Sequence, residues 1–323
     1  MINSKWLIRI ICLALSIGSR TLSAQAASNP EAQAAELRAK IEATPILPLN
    51  KLELSVKLPA AQQPGMISWL AYDSRHQSLW LIQRGDKADP IIEVDMQGHV
   101  LRSFGRGLFK VPHSIRLDSN GNLWTVDAGS SRVIEFNAKG EKLLHFDLPQ
   151  PAKHSDNGFS GATDIAFAPN GRILISDGYV NARILEYTAQ GKPIAAWGTA
   201  GSGAGQFHLP HSVVVDKSNI VYVADRENAR IEKFDLDGKY LGEIDGLGRV
   251  YSLALGRHGT LWATTAPLNL PPGSPGWIIE MDPKTGRILG HVSVNAEPAL
   301  HCLDMVSGNE PLTDVGNEVL WFR

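Results

Sequence analysis

Three segments, VPHSIRLD (111–118), LPHSVVVD (209–216) and ALHCLDMV (299–306), share one register and decide how the rest of the chain is interpreted. Each opens a repeating unit and carries a histidine as its third residue. These histidines are His113, His211 and His301.

Three further units have the same pattern without a histidine. GATDIAFAP (161–169) and VYSLALGRH (250–258) have Thr163 and Tyr251 at the equivalent point, and MISWLAYD (66–73) has Ser68 there. Around six units the order is therefore serine, histidine, threonine, histidine, tyrosine, histidine. If the units close into a ring, the histidine units lie a third of a turn apart and their side chains converge on the axis.

The units recur with a period of roughly 40–50 residues, which is typical of a propeller blade. The clearest copies begin at Pro112, Ala162 and Pro210, and each has an apolar run, a polar turn, a second run ending in aspartate, and then arginine with alternating apolar residues. Asn-Gly turns such as Asn120-Gly121 indicate hairpins, because both turn residues tolerate a positive φ. No unit has room for a crossover helix, so the pattern predicts four antiparallel strands per unit.

Counting units predicts an all-β, six-bladed β-propeller. The first blade spans about residues 64–105, the fifth about 250–294, and the last begins near 298 and has room for only three strands before Arg323. The strand-like segment LELSVKLP (52–59) precedes the first blade. We expect it to supply the missing outer strand of the last blade and so to close the ring, which removes a free sheet edge.

The phase of the three histidines predicts a metal site. Three neutral imidazoles that leave one position open form a zinc site suited to catalysis. A single histidine at the start of a propeller strand is more often structural, but repetition in alternate blades favours metal binding. The histidines outside this phase, His208, His258 and His291, are interpreted as surface residues.

The N-terminus predicts export. Lys5 and Arg9 precede the apolar run IICLALSIG, and Ala24-Gln25-Ala26 has the small-residue pattern of a signal-peptidase site. We therefore expect a cleaved signal peptide at 1–26, a leader or short helix at 27–50 and the propeller at 51–323. The product would be periplasmic or secreted, with no transmembrane segment.

Composition narrows the partners. The formal net charge is −2 over 323 residues, and removing the three basic residues of 1–26 makes it about −5. No basic stripe indicates nucleic acid, so we expect a small-molecule or peptide substrate and a monomeric chain. Cys302 alone remains after Cys12 leaves with the signal peptide, so the core and ring closure must provide stability without a disulfide.

Several strings resemble NHL repeats and, more specifically, the catalytic domain of peptidyl-α-hydroxyglycine α-amidating lyase (peptidylamidoglycolate lyase). The resemblance covers roughly residues 64–323. The strings that carry it are QRGD (83–86), LFKVPHS (108–114), TDIAFAP (163–169), SDGYVNARI (176–184), GQFHLPHS (205–212) and VADRENARI (223–231).

The resemblance implies a zinc ion held by His113, His211 and His301, the set that repeat phase selects independently. It also implies an active-site arginine at Arg84, a catalytic tyrosine at Tyr179 and a second active-site arginine at Arg226. The residues around His301 differ from the family pattern: Leu300 and Cys302 stand where the family has proline and aspartate.

Two further family features are not supported by the residues present. The aspartate after the third histidine helps to bind a structural calcium in the family, whereas cysteine is a poor ligand for this oxygen-seeking cation. The Ca²⁺ that the resemblance implies is therefore disfavoured at Cys302. A half-cystine of the family is replaced by Val180.

Residue spacing draws attention to Tyr179 on separate grounds. Asp177 and Arg183 are six residues apart, whereas Asp127 and Arg132 are five apart in the preceding blade. The third blade thus carries one extra residue in its turn, beside Tyr179. A functional site would produce such an insertion, and so would an ordinary loop irregularity.

The implied activity is that of a carbon–nitrogen lyase. It converts a peptidyl-α-hydroxyglycine, or a related small carbinolamide, into an amide and glyoxylate. Zinc would act as a Lewis acid and Tyr179, with its pKa lowered by arginine and metal, would take the hydroxyl proton. Arg84 and Arg226 would bind the carboxylate or supply the field, and the sequence does not distinguish these roles.

Two alternatives remain open at this stage. One is another metal-dependent propeller hydrolase, such as a lactonase-type enzyme, which the histidine, serine, threonine and tyrosine at the axial positions disfavour. The other is an exported, non-enzymatic NHL propeller that binds a protein or ligand on its face and holds no metal.

Overall fold

The computed structural model describes residues 29–149, 158–268, 276–294 and 300–323, and this part of the chain folds as an all-β propeller. The expected signal peptide and the start of the last unit at Pro298 lie outside the described residues. Six antiparallel sheets of four strands are present, and the inner strand of each blade packs beside the inner strands of both neighbours. The predicted six-bladed fold is confirmed.

The first three blades follow the chain from the inner strand to the outer strand. Their strands are β2 (Ile67–Asp73), β3 (Ser78–Gln83), β4 (Ile91–Asp95) and β5 (Val100–Phe104); β6 (Pro112–Leu117), β7 (Leu123–Asp127), β8 (Arg132–Phe136) and β9 (Lys142–Asp147); and β10 (Asp164–Phe167), β11 (Ile173–Asp177), β12 (Arg183–Tyr187) and β13 (Pro193–Trp197).

The last three blades repeat this order after a short parallel pair, β14 (Thr199–Ala200) and β15 (Gln206–Phe207). Their strands are β16 (Pro210–Val215), β17 (Val221–Asp225), β18 (Arg230–Phe234) and β19 (Tyr240–Ile244); β20 (Arg249–Leu255), β21 (Leu261–Ala266), β22 (Gly276–Met281) and β23 (Ile288–Val294); and β24 (Asp304–Val306), β25 (Glu310–Val315), β26 (Glu318–Phe322) and β1 (Lys51–Leu54).

The ring closes as predicted, because β1 pairs antiparallel with β26 as the outer strand of blade 6. The chain then continues onto blade 1, where the Lys57 N–H donates to the carbonyl of Gly98 at 2.8 Å. Gly98 has φ +84°, and a Cβ there would lie 2.1 Å from the Ser55 carbonyl oxygen, so this contact requires glycine. One short segment thus joins the last blade to the first.

Apolar side chains fill the spaces between adjacent blades. The largest cluster joins blades 6, 1 and 2 and includes Leu54, Trp69, Trp80 and Phe136, all less than 7% exposed. Each inner strand contributes its aliphatic residues to such clusters because side chains alternate between the two faces of a strand. The three histidines of the inner strands meet at the axis, where the candidate site lies.

The segment before β1 lies against the ring. Helix α1 (Pro30–Glu42) is capped by Asn29, buries Leu37 and Ile41, and its Lys40 Nζ donates to the carbonyls of Asp245 and Gly246. Residues 45–47 then pair with His291 on the outer edge of blade 5. No helix in the described part of the chain is long and apolar enough to cross a membrane.

The surface assignment of His291 was wrong. The residue is 2% exposed, and its Nδ1 lies 3.0 Å from the Thr44 hydroxyl. Its burial results from the leader, which covers the outer strand of blade 5 and which the repeat pattern alone does not position.

Candidate metal centre and active site

The three histidines of alternate blades meet on the axis. His113, His211 and His301 are 0%, 0% and 7% exposed, and their potential ligand atoms all lie within 4.8 Å of one another. They come from blades 2, 4 and 6. In the described part of the chain, no other group of three or more His, Cys, Asp or Glu side chains is arranged to hold a metal ion.

Backbone carbonyls of the intervening blades orient all three rings. The Nδ1–H groups of His113, His211 and His301 donate to the carbonyl oxygens of Thr163, Tyr251 and Ser68, at 2.6, 2.6 and 2.7 Å. A carbonyl only accepts, so Nδ1 carries the proton and Nε2 keeps its lone pair. Such a partner on the second nitrogen is the usual support of a metal-bound histidine.

The residues between the histidines extend this hydrogen-bonded ring. The hydroxyls of Ser68 and Thr163 donate to the carbonyls of Pro112 and Pro210, at 3.0 and 2.9 Å. These prolines directly precede His113 and His211. The serine and threonine of the repeat pattern therefore hold the backbone of the next histidine, which gives the alternation of residue types a structural reason.

Aspartates at the ends of second strands hold the chain just before two of the histidines. Asp127 accepts from the Lys110 and Val111 N–H groups, and Asp225 accepts from the His208 N–H. In blade 6, Asp314 Oδ1 accepts from the backbone N–H groups of His301 and Cys302, at 3.0 and 2.8 Å. The aspartate of the repeat thus positions the start of the inner strand.

The histidines are neutral at physiological pH. Burial, together with the nearby arginines and neighbouring imidazoles, lowers the pKa of His113 and His211 well below the ordinary value and that of His301 to about 3. Neutral imidazoles are the form that binds a metal. The donor set therefore fits a zinc ion or a similar transition metal.

Tyr179 lies at the mouth of this cluster. Its hydroxyl donates to His113 Nε2 at 2.8 Å and lies 3.5 Å from His211 Nε2. The turn that carries it has one more residue than its equivalents, because Asp177 pairs with Arg183 whereas Asp127 pairs with Arg132. The extra residue found in the sequence therefore lies in the turn that brings Tyr179 to the histidines.

Two arginines flank the tyrosine and act on its proton affinity. Burial raises the pKa of Tyr179, and the charges of Arg226 and Arg84 oppose this shift without cancelling it. The protein groups alone therefore do not produce the lowered pKa that a tyrosine base requires. The sequence predicted a lowered pKa for Tyr179. The two arginines do act in that direction, but the net shift of the pKa is upward.

Arg84 contacts Tyr179 and, within the described part of the chain, keeps one guanidinium N–H group without a partner. Its Nε donates to the Pro112 carbonyl at 3.0 Å, and its guanidinium lies 5.0 Å from the centre of the Phe159 ring. Its buried Nη2 has no hydrogen-bond partner among the residues that the structure describes. A buried N–H group of this kind is a ready donor for an anionic ligand.

Arg226, by contrast, is already paired. Its Nε donates to Glu227 Oε1 at 2.9 Å, and the second carboxylate oxygen of Glu227 accepts from Arg249 at 3.0 Å. The guanidinium of Arg226 lies over the Tyr251 ring, 5.3 Å from its centre. The two arginines therefore differ in their other partners, although the side chains of both also contact Tyr179.

An indole closes the axis beneath the histidines. The Trp69 ring is 0% exposed, and its centre lies 5.9–6.3 Å from all three imidazole ring centres. Phe159 packs against Tyr179, with their ring centres 4.6 Å apart. Aromatic rings therefore contact both the histidine cluster and Tyr179.

Sequence reasoning missed Trp69, Phe159 and Glu227. The sequence could have indicated Trp69, since it directly follows Ser68, the residue of the first unit that is equivalent to the histidines. Glu227 lies in the string already identified around Arg226. Phe159 has no repeat signal, because it belongs to an irregular connection between blades 2 and 3.

The fold and the site define a class of protein: a six-bladed propeller with an axial cluster of three histidines and a flanking tyrosine and two arginines. A family model described as a 6-bladed beta-propeller matches residues 154–252. The chain is also similar to peptidyl-glycine alpha-amidating monooxygenase of Mus musculus, with 33% identity over 207 residues, 54% of this chain and 21% of that protein.

A second relative has a name that matches the resemblance found in the motifs. A probable peptidyl-alpha-hydroxyglycine alpha-amidating lyase of Caenorhabditis elegans is 37% identical over 145 residues, 44% of this chain and 41% of that protein. These similarities confirm the resemblance. The chain matches about a fifth and two fifths of the length of these two relatives.

Among solved structures, virginiamycin B lyase of Staphylococcus aureus has a similar fold. It aligns with a TM-score of 0.59 and 13% sequence identity over 85% of this chain and 99% of that one. At this identity the likeness concerns the propeller fold alone.

Proposed function

We propose that this protein is a zinc-dependent lyase that cleaves the carbon–nitrogen bond of a carbinolamide. The substrate class is a peptidyl-α-hydroxyglycine or a smaller analogue, and the products are an amide and glyoxylate. The observation that carries the proposal is the axial cluster itself: three neutral histidines with inward Nε2 lone pairs, adjacent to Tyr179 and to the unpaired N–H of Arg84.

His113, His211 and His301 would hold the zinc ion, and the fit rests on their neutral state and on their Nδ1–H contacts to carbonyls. When bound, zinc supplies Lewis acidity toward a substrate oxygen. The names of the relatives support lyase chemistry, and we extend that chemistry to this chain on the basis of the site.

Arg84 is the proposed carboxylate receptor. Its buried Nη2 needs an acceptor, whereas Arg226 already bonds Glu227 through its Nε. An arginine–carboxylate contact is strong and directional. It would place the α-hydroxyl of the substrate next to the hydroxyl of Tyr179.

Tyr179 is the proposed proton carrier. As the carbon–nitrogen bond breaks, the hydroxyl of the substrate loses its proton and its oxygen becomes the aldehyde oxygen of glyoxylate. In its ionised form, which the charges of Arg226 and Arg84 favour, Tyr179 takes this proton and returns it to the departing nitrogen, so the products are a neutral amide and glyoxylate and the phenolate is regenerated. Trp69 and Phe159 keep water from competing, since both rings line the site.

Metal analysis of the purified protein tests the first requirement. We expect about one zinc per chain and none in the triple variant His113, His211, His301→Ala. His258→Ala, at an exposed position, is the matched control and keeps its metal. A wild type that takes up no zinc even when zinc is supplied would refute the proposal and favour a binding propeller.

Glyoxylate release from α-hydroxyhippurate tests the reaction. Tyr179→Phe removes one hydroxyl and should lower kcat by roughly 10²–10⁴ while zinc content stays unchanged. Arg84→Lys should mainly raise KM, since the planar guanidinium is lost and the charge is kept. A zinc-loaded wild type that releases no glyoxylate would leave another metal-dependent hydrolase as the better account.

We also propose that the chain is exported after cleavage following Ala26 and acts as a monomer. The basic and apolar pattern of residues 1–26 supports export. Mass spectrometry of the protein recovered from the periplasm or medium should show Ala27 as the first residue.

A further inference from the structure

The axis beneath the histidines consists of two further layers, defined by the register of the six inner strands. The position directly after each repeat-phase residue forms the middle layer: Trp69, Ser114, Asp164, Ser212, Ser252 and Cys302. The position two residues after each middle-layer residue forms the lower layer: Ala71, Arg116, Ala166, Val214, Ala254 and Asp304.

The position between these two layers is aliphatic in every blade and belongs to the cores between blades. Its residues are Leu70, Ile115, Ile165, Val213, Leu253 and Leu303. Since successive side chains of a strand point in opposite directions, the two layers on either side of it lie on the other side of the strand. A β-bulge at the repeat-phase position, as between Pro112 and Ser114, brings the preceding histidine to that same side, toward the axis. Among twelve such positions, Arg116 carries the only basic side chain.

The guanidinium of Arg116 reaches across the axis. Its Nε and Nη2 donate to the two oxygens of Asp164 in blade 3, at 3.1 and 2.8 Å, and Nη2 lies 3.4 Å from the Leu253 carbonyl in blade 5. Its carbon Cζ lies 4.9 Å from the centre of the Trp69 ring in blade 1. A side chain of blade 2 that meets blade 5 spans the ring.

Other groups complete the surroundings of this cation. Asp304 of blade 6 lies close enough to interact electrostatically with it. Asp164 also accepts from the Ser212 hydroxyl of blade 4 at 2.7 Å. Arg116 is thus connected, directly or through Asp164, to all five other blades.

The residues of these layers do not fit the structural calcium that the family resemblance implies. Cys302 replaces the expected carboxylate, and the described residues offer no cluster of three acidic ligands on the axis. The indole of Trp69 and the guanidinium of Arg116, whose side chain is only 12% exposed, lie directly below the histidines. A second cation there would have to share Asp164 and Asp304 with the guanidinium that already interacts with them.

We infer that Arg116 replaces a structural metal ion on the axis, so that its guanidinium, paired with Asp164, ties the six inner strands together beneath the histidine cluster. The protein is then independent of calcium for its fold. Trp69 connects Arg116 to the histidine cluster, since its ring contacts the guanidinium and all three imidazoles.

Calcium binding to the zinc-loaded wild type is the first test and needs no variant. Equilibrium dialysis with radiolabelled calcium should show none bound, and millimolar calcium should leave the midpoint of thermal unfolding unchanged. One calcium ion bound per chain, with a raised midpoint, would overturn the inference.

The second test removes the guanidinium. Arg116→Met leaves Asp164 buried without its charge partner and should lower the unfolding midpoint by roughly 5–15 °C. Arg132→Met is the matched control, because Arg132 makes the same two-bonded pair with Asp147 at the surface and its loss should change little. An unchanged midpoint in Arg116→Met contradicts the inference.

A double variant distinguishes the ion pair of Arg116 with Asp164 from the packing of the Arg116 side chain. If Arg116 acts through Asp164, the variant with Arg116→Met and Asp164→Asn should be less destabilised than the sum of the single variants. Purely additive losses would contradict the pairing. If Arg116→Met does not fold, the calcium measurement on the wild type still decides.

Discussion

At the scale of a single residue, the carboxylate of Glu227 holds the two arginines at the edge of the site, Arg226 and Arg249, which we call the rim. It lies between Arg226 and Arg249 and accepts from both, so the rim keeps a net positive charge while the orientation of Arg226 is fixed. Arg226 in turn lowers the proton affinity of Tyr179, against the effect of burial. A carboxylate that never meets the substrate would therefore influence turnover.

We predict that Glu227→Gln lowers kcat/KM for glyoxylate release about tenfold, which corresponds to about 1.4 kcal/mol. The neutral amide no longer holds both guanidiniums, so Arg226 is less well oriented toward Tyr179. Steady-state kinetics with zinc content measured in parallel check this.

Glu227→Asp should recover part of the lost activity, since the charge returns. The control is Glu141→Gln, on an exposed turn of blade 2. Full turnover in Glu227→Gln would show that Arg226 needs no such support.

Sequence patterns predicted which residues meet near the axis better than how each of them is paired. Repeat phase alone selected His113, His211 and His301, because equivalent positions of a closed ring must face the same axis. The different engagement of Arg84 and Arg226 could not be predicted, since it depends on which side chains the turns bring near each guanidinium. Arg84 meets a ring from the next inter-blade connection, and Arg226 meets its own neighbour.

At the scale of the element, the closing strand β1 has one buried face and one exposed face. Leu54 is buried in the cluster between blades 6 and 1, whereas Leu52 is 40% exposed. The four residue pairs between β1 and β26 provide the hydrogen bonds, and Leu54 provides the apolar contact. A short strand far from the rest of its blade in sequence therefore depends on packing.

We predict that Leu54→Ala lowers the free energy of unfolding by about 2–5 kcal/mol, the usual loss for truncating a buried leucine. Leu52→Ala on the same strand should change it by less than about 0.5 kcal/mol. Urea denaturation measures both values. Equal losses would mean that the faces of β1 are not distinguished by burial.

Strand β18 contains a carboxyl that should make stability depend on pH. Glu232 is 0% exposed; its Oε1 accepts from the Gly205 N–H, and its Oε2 has no partner among the described residues. Burial raises its pKa to about 7, since the nearby Arg230 does not offset the loss of water. The folded chain therefore holds this proton at pH values where the unfolded chain has released it.

The sign of the effect follows from this difference. Between pH 4.5 and about 7, the folded state binds more protons at Glu232 than the unfolded state, so stability falls as pH rises through this window. We predict that Glu232→Gln removes this part of the slope, roughly 1.4 kcal/mol for each unit of pKa shift. Urea denaturation at several pH values, compared with the exposed control Glu141→Gln, tests it, and an unaltered slope would contradict the raised pKa.

At the scale of the whole molecule, the histidine cluster joins three blades that share no strand pairing. A bound zinc ion would therefore link blades 2, 4 and 6 in addition to the cores between neighbours. Because the unfolded chain cannot bring these residues together, binding energy adds to folding stability.

We predict that zinc at about 100 times its dissociation constant raises the free energy of unfolding by about 2.7 kcal/mol. Calorimetry with and without zinc should show the higher midpoint. His113→Ala should abolish the shift, whereas His258→Ala should keep it. A zinc effect that survives His113→Ala would place the stabilising metal elsewhere.

The sequence by itself determined the number of blades, the closing strand and the three histidines of the axis. These features follow from a repeat whose register is local, so each copy can be interpreted without knowing its neighbours. The tertiary structure alone decided the carbonyls that orient each imidazole, the Trp69 floor, the engagement of each arginine and the reach of Arg116 to Leu253, 137 residues away. Such contacts arise only when the ring has closed, because they join side chains of different blades across a shared axis.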